Sequence, residues 1–359
     1  MNDFLELGFL LVVGYMAGWL CHKIRLPKII GYIAAGIVFS PHTIPLIDYD
    51  FVIYTEPLIE LSIAFIAFEV GGALKWSRIK KHEKEIVYIT LLASFVPFIF
   101  IFSGILLLGL LVPAQLPFSI VILLLLAMQL GALASSTAPA ATLAIMHEYK
   151  AKGKVTDTIL GVVSLDDTLG IILFSLVINI EMFLIGSQPG LTVPAFFLLF
   201  YPIGGALALG ICLAYLMMVT FHLLPKKEEG QWIVVIVSLI VICVGVCKWL
   251  HLDTLLAAMT MGIIIVNRSK YHHHIFRIIE RYTEELIFLF FFILSGLHLN
   301  ITTIPQALPL ILLFVILRIL GKYTGAWWGG KLAKSDASII KHTAGGLIPQ
   351  AGIVIGLVL

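Results

Sequence analysis

Ser164-Leu165-Asp166-Asp167-Thr168-Leu169-Gly170 sets two adjacent carboxylates inside an apolar run, with Ile159-Leu160 before them and Ile171-Ile172-Leu173-Phe174 after. Ionisable groups are costly where the surroundings are lipid, and they usually mark function there. Neighbours on a helix point about 100° apart, so the two acids serve different partners. Close carboxylates titrate as a coupled pair, which suits a group that alternates between a proton and a metal cation. The plain alternative is a brace between helices, for which one acid would suffice.

The surroundings are lipid because the 359-residue chain is 60% hydrophobic and only 12% charged, with a mean hydropathy of +1.07. Soluble proteins are about a quarter charged. A net charge of +2 gives no case for nucleic acid. Cys21, Cys212, Cys243 and Cys247 lie in or at the end of apolar stretches and read as packing residues, not a disulfide or metal set. The acidic Asn2-Asp3 start is not the basic opening of a cleavable signal.

A helix crosses the hydrocarbon in about 20 residues, and runs of that size give about twelve segments. They are 4–21, 29–46, 57–74, 86–112, 118–147, 156–186, 192–224, 231–250, 252–266, 284–299, 305–330 and 339–359. Only Lys248, His251 and Asp253 separate the eighth from the ninth. Every odd-to-even loop is basic, from Lys23, Arg25 and Lys28 to Lys331, Lys334 and Lys341, whereas even-to-odd loops carry residues such as Asp48, Asp50 and Glu56. Basic loops favour the cytoplasm, which puts the N-terminus outside a cell (inner or plasma) membrane. The whole of 1–359 reads as one transmembrane domain. Its longest polar stretch, 267–285, is too short to fold alone. The Tyr271-His272-His273-His274 run there reads as a cytoplasmic loop or surface helix, since three adjacent histidines cannot face one point.

Three further places interrupt apolar runs. Lys322, in Leu320-Gly321-Lys322-Tyr323-Thr324-Gly325, needs an anion, and Asp166 is the candidate; the alternative is a lysine that snorkels to the cytoplasmic face. The flanking glycines allow another helix close. Arg318, one turn earlier, has Glu69 and Glu284 as candidate partners, and the sequence does not choose between them. In Ser135-Ser136-Thr137-Ala138-Pro139-Ala140-Ala141-Thr142, Pro139 removes a donor and disfavours helix at Ala138. The freed carbonyls and the Ser136 and Thr137 hydroxyls are hard oxygen ligands suited to a small cation; a simple proline kink is the alternative. In Gly345-Gly346-Leu347-Ile348-Pro349-Gln350-Ala351-Gly352 the helix should break again. Interrupted helices in corresponding halves point to a secondary-transport site. Segments five and twelve stand an odd number apart, so the halves are inverted, with segment seven as linker. The second half then calls for a thirteenth helix, and the chain is expected to be C-terminally shortened.

These residues resemble the bacterial sodium/proton antiporters and their relatives among the cation:proton antiporters. Arg25-Leu26-Pro27-Lys28-Ile29-Ile30-Gly31-Tyr32-Ile33-Ala34-Ala35-Gly36 looks like that family's second-helix signature. Ala67-Phe68-Glu69-Val70-Gly71 looks like its third-helix element with the glycine moved, and Phe290-Phe291-Phe292-Ile293-Leu294-Ser295-Gly296-Leu297 like its aromatic-glycine helix. The resemblance implies an all-α fold with inverted six-helix repeats and two crossing broken helices, mapped to 135–142 and 345–352. It implies a mobile core with elements in 86–186 and 305–359, a dimerisation scaffold with elements in 1–56 and 192–266, and a homodimer. It implies that Asp167 binds the ion and the proton, and that Asp166 salt-bridges Lys322. Two adjacent acids resemble the electrogenic members that exchange two protons for one cation. Some relatives carry an acid where Ala138 stands, so the preferred ion stays open.

The expected function is exchange of a monovalent cation, sodium before lithium, for protons, with no enzymatic chemistry, no cofactor and no metal beyond the one carried. A potassium/proton exchanger or potassium efflux system is the alternative on the same fold. An intramembrane aspartyl protease is remote, because its acids should come from two helices, and a transport-dead sensor is not favoured with the acids and lysine all present.

Overall fold

The computed structural model describes residues 3–44, 47–80, 82–111, 120–184, 193–223, 228–282, 284–299 and 304–350. Among them every regular element is a helix, apart from one isolated β-bridge between Thr137 and Gln350. Each of the twelve apolar segments becomes a helix, the fifth a broken pair. The chain falls into two compact units.

The first unit holds the described residues of Met1–Ala73, His147–Tyr149 and Gly204–Leu308. It contains α1 (Asp3–Lys23), α2 (Lys28–Val38), α3 (Tyr49–Tyr54) and α4 (Glu56–Ala73). The short α3 falls between the second and third apolar segments and was not expected. Helix-to-helix contact here runs through glycine. A Cβ on Gly36 would lie 2.2 Å from the Ile293 carbonyl oxygen, and one on Gly296 would lie 2.6 Å from that of Ile33. A Cβ on Gly71 or on Gly262 would lie 2.1 Å from the carbonyl oxygens of Met259 and Phe68. Small residues let backbones meet where lipid supplies no hydrophobic drive. Three of these glycines belong to the three motifs that carried the family resemblance.

The eighth and ninth segments are separate helices: α11 (Glu229–Leu250) ends at His251, whose φ of 52° is left-handed, and Asp253 caps α12 (Thr254–Arg268) by accepting from the Leu256 N–H at 2.6 Å. α13 (His272–Tyr282) is amphipathic: Ile275, Ile278 and Ile279 are buried, whereas Arg277, Glu280 and Arg281 are exposed. It is a surface helix that begins within the histidine run. α14 (Glu284–Leu297) and the greater part of α10 (Val193–Leu223) complete the unit.

The second unit holds α5 (Trp76–Ile79), α6 (Glu83–Leu111), α7 (Ile120–Ser135), α8 (Pro139–Glu148) up to Met146, α9 (Lys154–Leu184), α15 (Ile304–Leu332) from Pro309 and α16 (Ala337–Gly346). Gly321, Gly325 and Gly329 recur every four residues along α15, so they share a face, and that face lies on α6. A Cβ on each would come within 2.5 Å of Pro97, 2.4 Å of the Leu92 carbonyl oxygen and 2.6 Å of the Ile89 Cα. The contact brings α15, with Arg318 and Lys322, against the polar side of α6. Gly325→Ala is therefore expected to cost about 1–3 kcal/mol through overpacking, read as a lower unfolding midpoint of the purified protein in detergent. An unchanged midpoint would mean that the two backbones are not in contact there.

Candidate functional site

The site begins with two helix breaks in the second unit. α7 stops at Ser135 and α8 starts at Pro139, a position where the missing N–H of proline costs nothing. Ser136, Thr137 and Ala138 run between them without helix. The second break follows α16, which ends at Gly346 with Leu347 as its C-cap. The two breaks cross and join. The Ala138 N–H donates to the Pro349 carbonyl at 3.0 Å, Thr137 bridges to Gln350, and the Thr142 hydroxyl donates to the Gly346 carbonyl at 3.1 Å. Residues 351–359, which would continue past the second break, lie outside the described residues.

α7 and α16 both end at this crossing, so unpaired carbonyls and the negative ends of two helix dipoles converge there. Two cations from successive turns of α15 meet them. The fully buried Lys322 ammonium donates to the Ser135 carbonyl, to Thr137 Oγ1 at 2.9 Å and to Asp166 Oδ2 at 2.6 Å. Three donors find three acceptors. Arg318, also buried, donates to the Ser136 carbonyl at 2.8 Å, to the Pro349 carbonyl at 3.2 Å and to the Ile348 carbonyl. One planar guanidinium thus ties both breaks together.

The partners described for Arg318 are thus carbonyls, where the sequence offered Glu69 or Glu284. The broken helices offer several carbonyls with no helical partner, and a forked donor satisfies more than one at once. Glu69, in the first unit, stands 3.6 Å from His147 Nδ1; the Glu284 side chain lies outside the described residues. Lys322 and Arg318 also donate to the freed carbonyls of Ser135, Ser136, Ile348 and Pro349.

Asp166 projects from α9 into this cluster and is fully buried. Its Oδ1 faces the Ser94 hydroxyl at 2.5 Å, and its Oδ2 faces Thr137 Oγ1 at 2.5 Å besides Lys322. Ser94 Oγ also lies 2.8 Å from the Thr90 carbonyl, so its single hydrogen has two acceptors. With Asp166 ionised, Ser94 donates to the carboxylate. With Asp166 protonated on Oδ1, the acid donates to Ser94, which turns its hydrogen to Thr90. Gly170, one turn on from Asp166, lets α9 come this close: a Cβ there would lie 2.7 Å from Ser136 Cβ. Asp167 occupies the next position of α9, and its side chain lies outside the described residues.

Sequence reading passed over Ser94. Thr90 and Ser94 stand four apart on one face of α6, a spacing that hinted at a polar seam. It also passed over Glu181 on α9, which is buried and accepts from Gln129 Nε2 of α7 at 2.8 Å; an acid so near the end of a run resembles a boundary residue.

A family model described as sodium/hydrogen exchanger, transmembrane, matches residues 8–358. Among solved structures, the sodium proton antiporter MjNhaP1 from Methanocaldococcus jannaschii, determined at pH 8, shares the fold with a TM-score of 0.74 at 19% identity, over 99% of this chain and 85% of that one. No curated protein sequence matches.

Proposed function

The chain belongs to the sodium/hydrogen exchanger family of multi-pass membrane proteins, which exchange cations for protons, and on that premise we propose that it carries sodium, with lithium as a second substrate, against protons through competition at Asp167. The observation that carries this reading is the full engagement of Asp166. Both its oxygens are held by Ser94, Thr137 and Lys322. The second acid of the pair is then the carboxylate left to bind either a proton or a cation. Ser136 and water complete the oxygen set, whereas the Thr137 hydroxyl serves the ion pair instead. The sodium assignment leans on hard oxygen donors and on the likeness in fold to MjNhaP1, a sodium proton antiporter.

Exchange is electrogenic in this proposal, two protons against one cation, with the Asp166–Lys322 pair taking the second proton. The unit that holds the site moves as a rigid body, as in alternating access between repeats. The other unit pairs two copies as a homodimer. The N-terminus is outside and the basic loops are in the cytoplasm.

The test uses proteoliposomes with an acidic lumen and a lumenal pH dye. External sodium, and to a lesser degree lithium, is expected to dissipate the gradient; Asp167→Asn protein is expected to show no response to either ion. A mutant with full exchange would sink the role of Asp167. A response to potassium alone would replace sodium with potassium as the substrate.

A further inference from the structure

The Glu181–Gln129 pair stands on the same two helices as the site but is used by nothing described so far. Glu181 lies fifteen residues beyond Asp166, about 22 Å along α9, away from the Lys154 end. Gln129 lies six residues before Ser135, about 9 Å along α7. Both displacements lead toward the membrane face opposite the basic loops. Between the pair and the helix break lies an apolar layer that includes Leu133, Phe174 and Val177, with Phe98 and Phe102 packed against it.

Glu181 is 6% exposed. Its Oε2 accepts from Gln129, while its buried Oε1 has no hydrogen-bond partner among the described residues. Nothing charged faces it from the packed elements. α7 carries no titratable residue, the half of α6 from Phe95 to Leu111 carries none, and Glu181 is the sole acid or base of α9 beyond Asp167. A neutral structural role would be met by glutamine, whose amide could pair with Gln129 equally well. A carboxylate there asks for a positive charge or a proton that the described residues do not supply.

We propose that Glu181 is a second proton-binding site, loaded from the face opposite the basic loops, where a proton from the medium bonds to Oε1 and leaves again to the same medium as conditions change. Its charge then sets how readily that face delivers cations and protons past the apolar layer to the acids below. Only the consequence for exchange rests on the antiport reading; proton binding itself does not.

Two measurements test it. Infrared difference spectra of the purified full-length protein between alkaline and acid pH should contain a protonated-carboxyl stretching band that is lost in Glu181→Gln and retained in Asp167→Asn. In proteoliposomes of uniform orientation, with pH varied on each side separately, Glu181→Gln should shift the proton concentration for half-maximal exchange on the face opposite the basic loops by roughly tenfold or more, leaving the other face unchanged. Spectra of Glu181→Gln identical to wild type, or a shift of equal size on both faces, would overturn the proposal. Should Glu181→Gln fail to fold, Gln129→Leu keeps the acid but removes its donor; it is expected to move the frequency of the same band, and an unmoved band would count equally against it. A wild-type protein without exchange would instead refute the antiport reading while leaving the infrared result to decide Glu181.

Discussion

Lys322→Ala is expected to destabilise the protein by about 3–5 kcal/mol, the range for removing one member of a buried ion pair. Asp166 is then left with the hydroxyls of Ser94 and Thr137 and no contacting countercharge, in a position with no solvent exposure. Asp166→Asn should cost a comparable amount, because the Lys322 ammonium keeps the Ser135 carbonyl and Thr137 but loses its anion. The double variant Asp166→Asn/Lys322→Met removes both charges of the pair. Its loss should fall short of the sum of the two single losses by about 0.5–3 kcal/mol. Chemical or thermal unfolding of the four proteins in detergent measures this. Strict additivity would show that the two groups do not share one environment. Proton-coupled exchange should be lost in both single variants.

Arg318→Met should be the next most damaging change. It leaves the carbonyls of Ser136, Ile348 and Pro349 without their cationic donor, at roughly 1–3 kcal/mol for each acceptor that finds no replacement. It also removes the side chain that ties the first break to the second. Arg318→Lys restores the charge but replaces a fork with a point. It should therefore regain part of the unfolding midpoint without regaining exchange. The two variants together separate charge from geometry. If methionine matched wild type in both midpoint and exchange, the guanidinium would have no part in holding the crossing.

Much of this architecture is written in residues that break local rules. Pro139 and Pro349 stand at the two breaks, where proline brings no N–H to pair with a helical carbonyl, and the α15 glycines mark the close approach to α6 because nothing larger fits. Asp166 and Lys322 stand out as charges among leucines and isoleucines, and the structure sets them 2.6 Å apart. Other features leave no such trace. The acceptors described for Arg318 are backbone carbonyls, which every residue possesses and no residue type marks. Ser94 is indistinguishable in sequence from the many hydroxyls that bond to their own helix, as Thr90 does with the Ile86 carbonyl. The partnership of Gln129 and Glu181 depends on how α7 packs against α9, and no spacing within either helix encodes it.

The crossing of the two breaks also has a consequence in time. Asp166 and Lys322 are separated by 156 residues, and Arg318 by 182 from the Ser136 carbonyl it holds. At about 5–20 residues per second, the first half of the chain exists for roughly 8–30 s before its cations are made. During that interval the carbonyls of Ser135 and Ser136 and the Asp166 carboxyl sit in a nascent membrane protein without the partners that later neutralise them. Water or the insertion machinery must serve them until α15 arrives. A chain halted before Arg318 should accordingly be recognised as unfinished and degraded, and the last third of the polypeptide becomes the step that commits the first half to the membrane.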